Sequence, residues 1–269
     1  MNIRMIVTDL DGTLLQPDKS VSDRTVRAVQ AAQSAGVLVV PATGRSMHEV
    51  PRVLPEVLHD LTVCSNGAVV YSVRTDTVLL SRTIAPEVID AFTDALLAVL
   101  PGARFATLVN AGLDFLPGPG YLELMTPGDH GRDMSKLREV ALSELASRPV
   151  AKLVARHGEL NLDELMAACQ GLAHMGVTPT TSGVPFIEMS ASGVSKATTL
   201  EILARERGIE REEIVVFGDS ANDLEMISWA GHGIAMANAV DAVLAAADEI
   251  APANTADGVA VVIERLLGL

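Results

Sequence analysis

Apolar positions along this chain follow two alternating patterns. Short uninterrupted runs at Ile3 to Thr8, Val37 to Val40 and Leu61 to Cys64 predict strands covered on both faces, as in a parallel sheet. Between the first two, Thr25 to Ala35 reads as an Ala-rich helix closed by Gly36. Ser46 to Leu58 also carries a helical pattern, with Pro51 and Pro55 inside it. Strand, helix, strand, helix, strand is the pattern of a doubly wound sheet.

After Asn66 the character changes. Ala68 to Tyr71 and Thr77 to Ser81 predict a hairpin around the polar Arg74–Asp76 stretch. Pro86 to Leu100 and Asp163 to Ala173 predict helices; Arg104 to Val109, Ala151 to Arg156 and Pro185 to Met189 predict strands. Pro117 to Asp133, rich in Gly and Pro, predicts a loop. The first pattern then resumes. A helix is expected over Ser195 to Gly208, strands at Ile214 to Phe217, Gly233 to Met236 and Glu249 to Ala251, and helices near Val240 to Ala247 and Val259 to Leu267. The expected fold is α/β: a Rossmann-like, doubly wound parallel-sheet core of residues 1–82 and 189–269, with a smaller α/β domain of residues 83–188 inserted into it.

Composition agrees with layered α/β packing. Hydrophobic residues make up 49% of the chain but aromatics only 3%, so the core is built from Ala, Val, Leu and Ile. The formal net charge of −14 argues against a nucleic-acid partner and against an anionic membrane surface. The two cysteines, Cys64 and Cys169, form no metal or redox pattern and read as buried free thiols. There is no signal-peptide pattern and no apolar run long enough to span a bilayer, which predicts a soluble, cytoplasmic protein.

Ligands of open parallel sheets bind beyond the carboxyl ends of the strands. Four predicted strand ends here carry polar residues: Asp9 and Asp11; Thr43, Gly44 and Arg45; Ser65 and Asn66; Asp219, Asn222 and Asp223. With those strands as neighbours, four carboxylates converge. Two carboxylates ~4 Å apart repel by roughly 4 kcal/mol at an effective dielectric of ~20. Such a cluster calls for a cation, and an all-oxygen ligand set suits Mg²⁺. Taken singly, each feature has a plainer explanation: an Asp at a strand end is commonly a turn or cap residue, and Lys196 at a helix start is commonly a solvated lysine.

Together, and in this order, the residues resemble the haloacid dehalogenase superfamily. Asp9-Leu10-Asp11-Gly12-Thr13 is similar to its first motif, Thr43 to its second, Lys196 to its third, and Gly218-Asp219-Ser220-Ala221-Asn222-Asp223 to its fourth. Ala42-Thr43-Gly44-Arg45, Ser65-Asn66-Gly67-Ala68, Gly193-Val194-Ser195-Lys196 and Asp257-Gly258-Val259 further resemble the Cof-like branch. The resemblance implies a phosphatase in which Asp9 is the nucleophile and Asp11 the general acid and base. It implies Mg²⁺ held by Asp9, the backbone carbonyl of Asp11 and Asp219, with Asp223 acting through water or through the other ligands. Thr43 and Lys196 would bind the phosphoryl oxygens, helped by Gly44 and Asn222, and Arg45 and Asn66 would contact substrate.

By the same resemblance, the insert is a cap that selects a small-molecule phosphate ester. Sugar phosphates lead, with pyridoxal phosphate and flavin mononucleotide as further candidates. Within the cap, Lys152, Arg104, His130 and Arg132 could reach the substrate, but each reads first as an exposed or loop residue. Asp11 argues against the metal-free dehalogenases. A phosphomutase of the same fold is the nearest alternative. A phosphoacceptor signalling module is a further one; it needs neither Asp11 nor an insert.

Overall fold

The computed structural model describes residues 2–269. The chain starts with β1 (Met5–Thr8), α1 (Asp23–Ser34) and β2 (Leu38–Pro41). Next come β3 (Thr62–Cys64), β4 (Val69–Ser72) and β5 (Thr77–Ser81). The insert follows as α2 (Pro86–Val99), β6 (Ala103–Val109), β7 (Asp114–Pro117), α3 (Leu142–Leu145), β8 (Lys152–His157), α4 (Leu162–Gly171), β9 (Val177–Thr180) and β10 (Ile187–Ala191). The chain ends with α5 (Lys196–Glu206), β11 (Ile214–Gly218), α6 (Leu224–Trp229), β12 (His232–Met236), α7 (Asp241–Ala246), β13 (Glu249–Ala251) and α8 (Gly258–Leu267).

Five strands form a parallel sheet in the order β13-β12-β11-β1-β2. Alternating residues of each strand face opposite sides. Ile6, Val39, Val215 and Ile234 pack on one side with Ala28 and Val29 of α1 and Val262 and Ile263 of α8. Met5, Val7, Val40, Val216 and Ala235 pack on the other with Leu200 of α5, Ile227 of α6 and Val243 of α7. Both faces are therefore buried, and consecutive apolar residues are what such strands require.

A second five-stranded sheet, β7-β6-β8-β10-β9, is antiparallel. One of its faces packs Phe105, Leu153, Ala155, Ile187 and Met189 against Phe92 and Leu96 of α2 and Leu165 of α4. The other presents Ala106, Leu108, Val154 and Phe186 to a smaller cluster that includes Phe115 and Tyr121. In β8 the second face also carries Lys152 and Arg156, by the same alternation.

Three expectations change. Ser46 to Leu58 is no α-helix: it forms two short 3₁₀ turns, Val50–Arg52 and Glu56–Leu58. Pro51 and Pro55 lack the amide hydrogens that a continuous ladder needs. The third strand, β3, belongs to a small sheet in the order β3-β4-β5 and meets the core through one parallel bridge, Ala42 to Val63. The β4–β5 hairpin pairs as expected, but β7, β9 and α3 were not foreseen. Cys64 and Cys169 are both buried and free. Among the described residues no helix is long and apolar enough to cross a membrane.

The turn after β3 has one position that only glycine tolerates. Gly67 has φ +100°, and a Cβ there would stand 2.1 Å from the Ser195 carbonyl oxygen at the start of α5. This close approach sets Lys196 against the core. Gly67→Ala is expected to cost clearly more than Gly208→Ala, where φ is +60° but nothing lies within 4 Å of the new carbon. The latter carries only the left-handed penalty of ~1 kcal/mol. Urea denaturation of both variants measures the difference.

Candidate active site

The site lies at the carboxyl ends of β1, β2 and β11. After β1 the chain makes a tight turn: Leu15 N–H donates to Leu10 O at 2.8 Å and Leu14 N–H to Asp9 O at 3.3 Å. Gly12 enters this turn at φ +81°, and a Cβ on it would lie 2.3 Å from a carboxylate oxygen of Asp219. The loops after β2 and β3 are joined to each other: Thr43 N–H donates to Val63 O, Ser65 N–H to Arg45 O and Asn66 N–H to Thr43 O.

Three carboxylates converge. Asp9, Asp219 and Asp223 each offer an oxygen within 4.8 Å of the others. Lys196, the first residue of α5, is 1% exposed and donates to Asp9 Oδ1 at 2.5 Å and to Asp223 Oδ1 at 2.6 Å. Asp223 Oδ2 accepts from the Asp219 and Ser220 amides at 3.0 Å each, pinning the turn after β11. Thr13 donates to Asp219 Oδ1 at 2.7 Å. Asp9 Oδ2 accepts no hydrogen bond among the described residues, and Asp9 borders a cavity. Burial works against the Lys196 ammonium, but Asp223 and Asp9 outweigh it and hold its pKa above the ordinary value. One ammonium cannot balance three carboxylates, so burial, with Asp223 and Asp219 adding to it, pushes Asp9 up. Burial also raises Asp219.

The expected fourth carboxylate is absent from this cluster. Asp11 is gripped instead by Arg45, through Nε at 2.6 Å and Nη2 at 2.7 Å, and by Lys19 at 2.8 Å. Burial would raise its pKa, but the hydrogen bonds from Arg45 and Lys19 outweigh it and bring the carboxyl below its usual value. In this turn Asp9 sits beneath the sheet end while Asp11 emerges beside the loop after β2, so their side chains part. Bidentate guanidinium–carboxylate pairing favours this arrangement.

A cavity of about 540 Å³ opens over Asp9 and separates the two sheets. Of the residues expected at the site, Asp9, Asp11, Thr43, Gly44, Arg45, Asp219 and Asn222 border it. Lys196, Asp223 and Asn66 lie buried behind that lining. The Asn66 amide is spent on Glu188, at 3.2 Å, and on Asn222, at 3.0 Å. From the insert, Lys152 and His130 reach the cavity, whereas Arg104 and Arg132 bond to the Ala103 and Gly112 carbonyls. The surface reading fails for Lys152, which is 3% exposed. Ser182, Glu188 and Lys19 border the cavity as well, and none of the three stood out in the sequence. The alternation of Lys152 and Arg156 against Leu153 and Ala155 was the one signal for the inner face of the insert.

The donor set fits a hard divalent cation. It is all oxygen, buried, and in surplus negative charge after Lys196 is counted. Asp9 and Asp219 are the residues placed to hold it, while Asp223, whose oxygens are taken by Lys196 and by the Asp219 and Ser220 amides, steadies them.

This arrangement, with an antiparallel insert over a doubly wound core, defines a class of hydrolase. The profile of the haloacid dehalogenase-like hydrolases matches residues 6–263, and the chain belongs to that family. Within it the chain is a phosphatase. It is similar to the 5-amino-6-(5-phospho-D-ribitylamino)uracil phosphatase YbjI of Escherichia coli (strain K12), with 30% identity over 285 residues, 99% of this chain and 97% of that one. The pyridoxal phosphate phosphatase YbhA of the same strain is 27% identical over 97% of both chains. The structure of the HAD subclass IIB sugar phosphatase BT4131 shares the fold, with a TM-score of 0.80 at 21% identity over 98% of both chains.

His130 is stacked between Phe115 and Phe186, with ring centroids 4.5 and 4.4 Å away, and bonded to Tyr121 Oη at 2.8 Å. Burial, then Arg156 and Lys152, pull its pKa down to about 3; Asp129 opposes them and Arg132 assists. Below its ordinary pKa the unfolded chain takes up a proton that the folded chain refuses, so stability falls as pH drops from about 6.5 toward 3. Between pH 7 and 5 the wild type is expected to lose roughly 1–2 kcal/mol more than His130→Gln. Urea denaturation at both pH values measures it.

Proposed function

We propose that this chain hydrolyses phosphate monoesters of small metabolites through a phosphorylated Asp9. Sugar phosphates are the leading class, and pyridoxal phosphate and flavin mononucleotide are further candidates. The observation that carries the reading is Asp9 itself: one oxygen is held by Lys196 and the other is unbonded beside the cavity. A carboxylate oriented this way is placed to act as a nucleophile.

In this reading the free oxygen of Asp9 attacks phosphorus and the ester P–O bond breaks. Asp11 gives its proton to the departing alcohol, then takes one from the water that attacks the phosphorylated Asp9. Inorganic phosphate leaves and the Asp9 carboxylate is restored. The Arg45 and Lys19 contacts favour the ionised form of Asp11, so they must loosen, and the carboxylate must take up a proton from solvent, before it donates. Thr43, which borders the cavity, and the Gly44 and Asn222 loops receive the phosphoryl oxygens. Lys196 holds Asp9 in line and its charge favours the transferring group. Arg45 bounds the substrate on the core side, with Asn66 supporting Asn222 from behind. Mg²⁺ held by Asp9, Asp219 and the backbone carbonyl of Asp11, with Asp223 steadying them, would offset the surplus negative charge and stabilise the phosphoryl group in transfer. The insert, whose last strand runs on to Ala191 rather than stopping at residue 188, acts as a cap that excludes water and selects the ester.

A phosphate-release assay over sugar phosphates, pyridoxal phosphate and flavin mononucleotide tests this. Turnover is expected with Mg²⁺ and its loss with a chelator. Asp9→Asn should lower kcat on the order of 10³-fold or more. Full turnover by Asp9→Asn would remove the nucleophile assignment.

A further inference from the structure

The inner face of the insert carries an ion pair that the chemistry above leaves unused. Lys152 of β8 and Glu188 of β10 are each 3% exposed and bond directly to one another. Burying two charges gives little stability by itself, because desolvation offsets their attraction. What else the two groups hold is therefore informative. Lys152 Nζ donates to the Gly44 carbonyl oxygen at 2.7 Å, across to the loop after β2. Glu188 Oε2 accepts from Ser182 Oγ at 2.8 Å and from Asn66 Nδ2 at 3.2 Å. Asn66 Oδ1 in turn accepts from Asn222 Nδ2 at 3.0 Å. One pair in the insert thus reaches both loops that border the cavity beside Asp9.

The Gly44–Arg45 peptide links this pair to the reaction centre. Its carbonyl accepts the Lys152 ammonium, and its N–H donates to Thr43 Oγ1 at 3.0 Å. A charge-assisted bond at a peptide oxygen strengthens the same peptide's N–H as a donor. Thr43 Oγ1, accepting from that N–H, keeps its own hydrogen to donate elsewhere, and Thr43 is one of the residues bordering the cavity. The bonds therefore form a chain from the insert, through the Gly44–Arg45 peptide, to the Thr43 hydroxyl.

We propose that Lys152 and Glu188 are positioning residues that set the two phosphoryl-binding loops when the insert closes over the core. Lys152 acts through the Gly44 carbonyl on Thr43, and Glu188 acts through Asn66 on Asn222. The inference rests on the phosphatase reading of the cavity. A pair that only recognised the departing alcohol would affect some esters and spare others. A pair that sets the phosphoryl loops affects all of them alike.

The test uses the full-length protein with Mg²⁺ and the double variant Lys152→Met/Glu188→Met, which removes both charges and keeps their volume, so that neither is left stranded. Its kcat is expected to fall on the order of 10²-fold for p-nitrophenyl phosphate and for a sugar phosphate alike, with KM moving less than about 3-fold. Lys152→Arg, which keeps a donor and the pair, should restore kcat to within about 10-fold of wild type. Independently of activity, hydrogen exchange of the Arg45 amide should speed up by on the order of 10-fold in the double variant while β1 amides stay unchanged. Unchanged Arg45 exchange, unchanged kcat, or a loss confined to one ester would each overturn the proposal. If the double variant does not fold, Lys152→Gln/Glu188→Gln, which also removes both charges together, carries the same two measurements. If the wild type hydrolyses no ester, the phosphatase reading fails, and the Arg45 exchange still decides whether the pair positions the loop.

Discussion

The Lys196 ammonium between Asp9 and Asp223 is the interaction on which the rest of the site depends. It joins the ends of β1 and α5 and the turn after β11, which lie far apart in sequence. The approach that makes this possible is backbone on backbone, with Gly67 against the Ser195 carbonyl. Asp223 extends the link by capping the Asp219 and Ser220 amides. A single positive charge therefore fixes the nucleophile candidate, the loop that carries Asp219, and the helix that supplies the charge. It leaves negative charge in excess, which is why the site suits a cation although the protein as a whole is strongly acidic.

The second organising feature is the two-sheet architecture. The parallel sheet is apolar on both faces and serves as a rigid base whose carboxyl edge carries the carboxylates. The antiparallel sheet is apolar on its helix-covered face but mixed on the other, where Lys152, Arg156 and Glu188 sit among Val154, Leu108 and Phe186. Lys152 and Glu188 are buried there against the loops of the core, and Arg156 against the insert's own Tyr121, Leu124 and Asp129. In the proposed reading, recognition of the departing group and exclusion of water fall to one element, and covalent chemistry to the other. A signalling module of receiver type has no counterpart to this second sheet.

Much of this was legible in the sequence, for identifiable reasons. β1, β2, β11 and β12 show as unbroken apolar runs because both of their faces are covered. Asp9, Thr43 and Asp219 show because charged or hydroxylic residues follow those runs closely, and Lys196 because it opens a helix within the same ordered set of motifs. The rest depended on contacts distant in sequence. β9 contains Pro179 and is only partly buried, so its pattern is weak. The apolar spacing over Ser46 to Leu58 imitates a helix, but two prolines divide it into separate turns. Lys152 looks like the solvated side of a strand until the core is placed opposite it. Asp11 reads as a partner of Asp9, yet Gly12 turns the chain so that Arg45 and Lys19 take its carboxylate.

The central claim is that Asp9 carries the phosphoryl group. It is tested most directly by mass spectrometry of acid-quenched Asp11→Asn protein mixed with Mg²⁺ and p-nitrophenyl phosphate, whose leaving group departs without a proton from Asp11. Without a base at position 11, the second step slows and the intermediate accumulates. The account predicts a phosphoryl adduct on the peptide containing Asp9, mapped to that residue and absent from an Asp9→Asn control. Phosphate release without any adduct, or an adduct on another residue, would contradict it.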